Sequence, residues 1–237
     1  MKKLIAIVFA GVSFAATAAN LVLIGDSTLA PRPETSKLGS WGAALESSLV
    51  EGNGIINHAV GGRTVRTTMP HWAKSLAKIE KGDFVIIQFG INDAAKKKFV
   101  GEVEFKKTLK KFASDVLAKG ATPVICSPVA NAGWRKNSKA DAPFMLTSSR
   151  RVYANYSKAV ADEMKLAFVD MTSLTATELA KIGRDAAIAL YVGDTIKKNK
   201  RPAFDTTHPS KAGAKRYAEL FLADVKSRKL PVASLFK

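Results

Sequence analysis

A serine, a histidine and an aspartate can together carry out acyl transfer, and this chain holds one set whose spacing suits the task. Ser27 stands in Gly25-Asp26-Ser27-Thr28, and far downstream comes Asp205-Thr206-Thr207-His208-Pro209. A carboxylate three residues before a histidine in a turn can reach the ring's Nδ1, fixing the tautomer and leaving Nε2 free to take a serine proton. Ser27 is then the nucleophile, His208 its base and Asp205 the group that orients the ring. By itself Gly-Asp-Ser is ordinary turn chemistry; the company of Asp205 and His208 gives it a second meaning. His58 and His71 have no such companion and are read as structural.

Acyl transfer also needs hydrogen-bond donors for the negative oxygen of the tetrahedral intermediate. Gly90-Ile91-Asn92-Asp93 offers the amide side chain of Asn92. Asn57-His58-Ala59-Val60-Gly61-Gly62-Arg63-Thr64 offers glycines, where a backbone N–H can approach a ligand with no side chain in the way. With the N–H of Ser27, donors from Gly62 and Asn92 would converge on one point.

Elements must bring these blocks together. Short apolar runs bounded by turn residues alternate with longer amphipathic segments, the pattern of parallel strands joined by crossover helices. Strands are expected at Leu21 to Ile24, Ile55 to Ala59, Phe84 to Phe89, Pro123 to Cys126 and Ala167 to Val169. Helices are expected along three stripes: Phe105, Leu109, Phe112 and Val116, ended by Gly120; Val152, Tyr156, Val160 and Met164; and Tyr217, Leu220, Phe221 and Val225, starting near Pro209-Ser210. The expected fold is α/β, a doubly wound three-layer α/β/α sandwich on a parallel sheet of about five strands. In such sheets ligands bind beyond the carboxyl ends of the strands. The Ser27, Gly61-Gly62 and Asn92 blocks each follow an expected strand, and His208 precedes the last expected helix.

These four blocks resemble the SGNH or GDSL-type hydrolase family, named for residues that stand here as Ser27, Gly62, Asn92 and His208. The resemblance spans Gly25 to His208. It implies a flavodoxin-like sandwich, a Ser-His-Asp triad, and an oxyanion hole of Ser27 N–H, Gly62 N–H and the Asn92 side chain. Gly61 is an alternative to Gly62, because the pair leaves the register open. One departure from the family pattern is Thr28, where a leucine usually follows the serine. Gly-Asp-Ser-Thr-Leu-Ala, with Ser40-Trp41-Gly42, Gly62-Arg63-Thr64 and Asp205-Thr206-Thr207-His208, is similar to the rhamnogalacturonan acetylesterase branch, whose members remove acetyl groups from pectin. The expected reaction is serine ester hydrolysis through an acetyl-Ser27 intermediate, with no metal and no organic cofactor.

The chain starts Met1-Lys2-Lys3, continues through an apolar run from Leu4 to Ala16, and ends that run in Ala16-Thr17-Ala18-Ala19. This is the layout of a secretory signal peptide, and the run is shorter than the roughly 20 residues that span a bilayer. Residues 1–19 are expected to leave by cleavage near Ala18 or Ala19; an uncleaved anchor is the lesser alternative. The remainder, 20–237, is expected to be one catalytic domain, monomeric, in the periplasm or outside the cell. The lone Cys126 cannot form a disulfide within the chain and is read as a small buried residue.

The net charge is +17, and loss of Lys2 and Lys3 leaves 35 basic against 20 acidic side chains, or +15. Such a surface attracts polyanions. Runs such as Lys96-Lys97-Lys98, Lys106-Lys107, Lys110-Lys111 and Lys197-Lys198 read equally as solvated faces or as a substrate-facing surface. They lack the interleaved aromatics of a nucleic-acid stacking platform. The expected partner is an acetylated, acidic polysaccharide, with no nucleic acid and no stable membrane insertion. Trp134 can stack on a sugar face and Arg135 can hold a uronate carboxylate, with Arg63 and Arg66 as similar candidates; Trp134 serves as well as a loop anchor. Two other functions share these residues or this fold. A lipase-like or thioesterase activity would use the same triad and need a long apolar acyl groove. A non-catalytic glycan binder would have no use for Asp205 and His208 beside a serine.

Overall fold

The computed structural model describes residues 18–134, 143–192, 196–198, 201–203 and 205–237. Five strands, β1 (Asn20–Gly25), β2 (Gly54–Asn57), β3 (Phe84–Gln88), β4 (Thr122–Cys126) and β5 (Ala167–Val169), form a parallel sheet in the order β2-β1-β3-β4-β5. A separate antiparallel hairpin joins β6 (Ile196–Lys198) to β7 (Arg201–Ala203), over the Lys197-Lys198 run. The helices are α1 (Val65–Thr68), α2 (Trp72–Leu76), α3 (Glu102–Ala118), α4 (Ser148–Met164), α5 (Met171–Ile182), α6 (Arg184–Ala189) and α7 (Lys211–Ser227).

Successive side chains of a strand point to opposite faces, and here both sets are apolar. On β1, Leu21 and Leu23 enter one core while Val22 and Ile24 enter another. Ile86 and Val124 join the first; Val85, Ile87 and Ile125 join the second. A sheet that is apolar on both faces must be covered on both, which gives a three-layer sandwich. Trp41, Tyr217 and Phe221 fill the first core, beneath α7. Phe105, Phe112 and Val160 fill the second, beneath α3 and α4.

The α3 stripe is as expected: Phe105, Leu109, Phe112 and Val116 are all buried. On α7, Tyr217, Phe221 and Val225 are buried, and Ser210 caps the helix by accepting from Gly213 N at 3.2 Å. The α4 stripe needs correction. Val152 is 39% exposed, and the inward face carries Tyr153, Ala154, Ser157, Val160 and Ala161. Val160 is buried as expected, and Tyr156 and Met164 pack half-buried against the same core, so only Val152 leaves the stripe; the small residues Ala154, Ser157 and Ala161 complete the seam.

The order of strands reverses at β1, which lies between β2 and β3, and the crevice at such a reversal is where ligands bind in doubly wound sheets. The register sets Gly25 beside Gln88, so the residues after β1 and β3 emerge at one rim. The chain beyond β2 follows β1 to the same rim, through His58 N to Leu23 O at 2.9 Å and Val60 N to Gly25 O at 3.1 Å. At the other edge of the sheet Asn53 Oδ1 accepts from Ala19 N at 3.1 Å, and its Nδ2 donates to Leu235 O at 3.4 Å. Among the described residues no helix is long and apolar enough to cross a membrane. The expected leader lies outside the described residues apart from Ala18 and Ala19.

Candidate active site

Ser27 sits in a turn at the carboxyl end of β1, and the turn is built from below. A side chain at Gly25 would lie 2.6 Å from Gln88 O, so only glycine lets β1 pass β3 at this point. Asp26 is fully buried, and its Oδ1 accepts from Thr28 N at 3.0 Å and from Thr28 Oγ1 at 2.9 Å. Gln88 Nε2 donates to Thr28 Oγ1 at 2.7 Å, and Trp41 Nε1 donates to Gln88 Oε1 at 3.0 Å. Thr28, in the place of the family's leucine, is thus the middle of a buried polar chain from Trp41 to Asp26. A leucine there would leave the Gln88 amide without its nearest acceptor, at a cost of about 1–3 kcal/mol for a buried unsatisfied group.

His208 reaches this turn from the segment before α7. Its Nε2 lies 2.8 Å from Ser27 Oγ and its Nδ1 lies 2.7 Å from Asp205 Oδ2. The second carboxylate oxygen, Oδ1, accepts the N–H of Thr207 at 2.8 Å and of His208 at 2.9 Å. Burial works to raise the Asp205 pKa, but the bonds from the His208 ring and these two N–H groups prevail and hold it at about 2. Asp205 is therefore an anion at neutral pH. An anion at Nδ1 stabilises the imidazolium that forms when Nε2 takes the serine proton.

The expected oxyanion donors meet the same rim. Among the described residues, neither Ser27 N nor Gly62 N donates to any protein group. Gly62 adopts φ +77°, a left-handed conformation that a side chain would oppose, and a side chain on Gly61 would meet Ser27 Cβ at 3.7 Å. Asn92 Nδ2 donates to Arg63 O at 3.0 Å, which uses one of its two amide hydrogens and fixes the direction of the other. Asp93 joins the two loops: its Oδ1 accepts from Val65 N at 2.9 Å and its Oδ2 from Gly90 N at 3.0 Å.

The profile of the GDSL-like Lipase/Acylhydrolase family matches residues 23–216, a span that takes in Ser27, Gly62, Asn92 and His208. The chain belongs to that family. Among its relatives in Bacillus subtilis, the "Probable rhamnogalacturonan acetylesterase YesY" is 27% identical over 220 residues, covering 90% of this chain and 95% of the relative. "Rhamnogalacturonan acetylesterase RhgT" is 27% identical over 218 residues, covering 89% and 90%. The crystal structure of the Bacillus subtilis protein YxiM superposes with a TM-score of 0.75 at 26% identity, over 91% of this chain and 58% of that one.

Other expected residues of this GDSL-like acylhydrolase fare differently. Trp134 is only 6% exposed and stands edge-to-face on Phe144, with centroids 5.1 Å apart. It is a loop anchor and offers no open stacking face, because the apolar ring is covered from solvent. Arg63 is half-buried and donates to Thr67 O at 2.6 Å; Arg66 is committed to Glu104. Arg135 lies outside the described residues. Two cations that spacing did not single out reach the rim: Arg32 Nη2 donates to Ser27 O at 2.6 Å, and Lys98 Nζ donates to Gly62 O at 2.7 Å. Long side chains acting on backbone carbonyls leave no motif. Cys126 is fully buried, and burial pushes its thiol well above the ordinary value. Among the described residues no cluster of three or more His, Cys, Asp or Glu side chains is disposed to hold a metal ion.

Proposed function

We propose that this chain is an exported O-acetylesterase of a polysaccharide, with Ser27 as nucleophile, His208 as base and Asp205 as the orienting anion. The observation that carries this reading is the continuous Asp205–His208–Ser27 hydrogen-bond chain, with links of 2.7 and 2.8 Å. His208 takes the Ser27 proton as Oγ attacks the acetyl carbonyl. Ser27 N–H, Gly62 N–H and Asn92 Nδ2 stabilise the oxyanion. His208 then gives its proton to the sugar oxygen as the C–O bond breaks, so the sugar leaves as a hydroxyl and acetyl-Ser27 remains. Water, deprotonated at the same ring, attacks the acetyl group, and acetate leaves as the proton returns to Ser27.

The names of YesY and RhgT support acetyl groups on rhamnogalacturonan as the substrate, and the net charge of +17 supports an acidic polymer. The Met1 to Ala19 layout supports export of one catalytic domain to the periplasm or the medium. The test is acetate release from acetylated pectin by the wild type and by Ser27→Ala. Loss by several orders of magnitude in the variant is expected. Retained activity would end the assignment, and equal release from acetylated xylan would remove the preference for pectin.

A further inference from the structure

Each of the two residues whose backbone N–H is placed to meet an oxyanion has its own carbonyl held by a cation. Arg32 holds Ser27 O and Lys98 holds Gly62 O. The two side chains come from different loops, one after the Ser27 turn and the other after Asn92. Lys98 is exposed, so holding its ammonium on a carbonyl costs rotamer freedom and adds little to the stability of the fold.

We propose that Arg32 and Lys98 are positioning residues that hold the backbone of the oxyanion hole in place. This rests on the reading of Ser27 and Gly62 as its donors. Gly62 has a left-handed backbone and, as a glycine, the greatest freedom to turn its peptides away. Lys98 on Gly62 O and Asn92 on Arg63 O fix two successive peptide planes in the loop. Arg32 does the same for the peptide that follows Ser27. Each cation is bonded to the residue that would donate, and a fixed positive charge near a developing oxyanion favours the transition state over the neutral ester.

The experiment measures kcat and KM on 4-nitrophenyl acetate, a small neutral ester that makes no use of a polymer-binding surface, together with the unfolding temperature. The variants are Lys98→Met, Arg32→Met, Lys98→Arg, Arg32→Lys and Ser27→Ala. Each Met variant is expected to lose about tenfold in kcat, less than the loss on deleting a direct oxyanion donor, with KM and the unfolding temperature little changed. The charge-keeping Lys98→Arg and Arg32→Lys variants are expected to regain most of the activity. Wild-type kcat in both Met variants would overturn the proposal. So would equal losses in the charge-keeping variants that follow a drop in unfolding temperature, since that marks a purely structural role. If Ser27→Ala were active the reading of the site itself would fall, whereas an inactive Ser27→Ala beside fully active Met variants would sink this inference alone.

Discussion

At the scale of single residues, Ser27, His208 and Asp205 form one hydrogen-bonded chain, and Arg32, Lys98 and Asn92 hold the backbone around it. With Asn92 as a proposed oxyanion donor, Asn92→Ala is expected to lower kcat on an acetyl ester by about 10²–10³ with little change in KM. Asp205 gives a pH signature. Its carboxyl, held at about 2 in the fold, has an ordinary value of 3.8. Between those values the unfolded chain binds the proton more readily, so the stability Asp205 contributes is present above pH 3.8 and is lost as pH falls toward 2. Acid unfolding followed by circular dichroism should show this limb, and Asp205→Asn should flatten it. Ser27, Asp205 and His208 could be singled out in the sequence by their types and spacing, and the fold brings the three within hydrogen-bond reach. Arg32 and Lys98 could not be, because any long cation can reach a carbonyl and only the fold says which.

At the scale of elements, the junction between the end of β3 and the start of α4 determines where Asn92 stands. Gly90 has φ +121°, and a side chain there would lie 2.7 Å from Tyr153 Cβ. Gly90→Ala combines strain with overlap and is expected to lose about 1–3 kcal/mol in urea unfolding, with a matching fall in kcat as Asn92 shifts. Asp93 spans the same junction and titrates with the opposite sign to Asp205. Desolvation raises its pKa to about 6, against the pull of the Val65 and Gly90 N–H groups. The fold therefore binds this proton more tightly than the unfolded chain, and the stability it contributes is lost as pH rises from about 4 through 6. A thermal-unfolding series across that range should show the decline, and Asp93→Asn, which does not titrate, should lack it. The five strands were legible to within about two residues because a sheet covered on both faces writes an uninterrupted apolar run. The α4 seam was legible in Tyr156, Val160 and Met164 but not in Ala154, Ser157 and Ala161, which pack close without adding to an apolar stripe. The α5–α6 region escaped notice for a related reason: α5 buries Thr172, Thr175 and Glu178 among its apolar residues.

At the scale of the whole molecule, the excess of basic residues is less concentrated than the sequence suggests. On α3, Lys106 pairs with Glu102, Lys110 with Glu163, and Lys111 with Asp115 at 2.8 Å. Lys96, Lys97 and Lys98 are exposed on the loop that follows Asn92, and Lys98 reaches Gly62 O, so part of the excess charge borders the candidate site. If the polymer is acidic, raising salt from 50 to 500 mM should increase the apparent KM on acetylated pectin several-fold, through screening, and leave hydrolysis of 4-nitrophenyl acetate nearly unchanged. Equal salt effects on both substrates would count against an acidic polymer.

One polar side chain, Asn53, receives the backbone of Ala19 and reaches the backbone of Leu235, so the beginning and the end of the folded body share an anchorage. That anchorage adjoins the first residue of β1, whereas Ser27 follows the last. Anything hung from either terminus, be it a leader, a tether or a purification tag, trails away from incoming polymer. A permuted chain that joins the old ends through a short linker and opens elsewhere inherits an unobstructed rim.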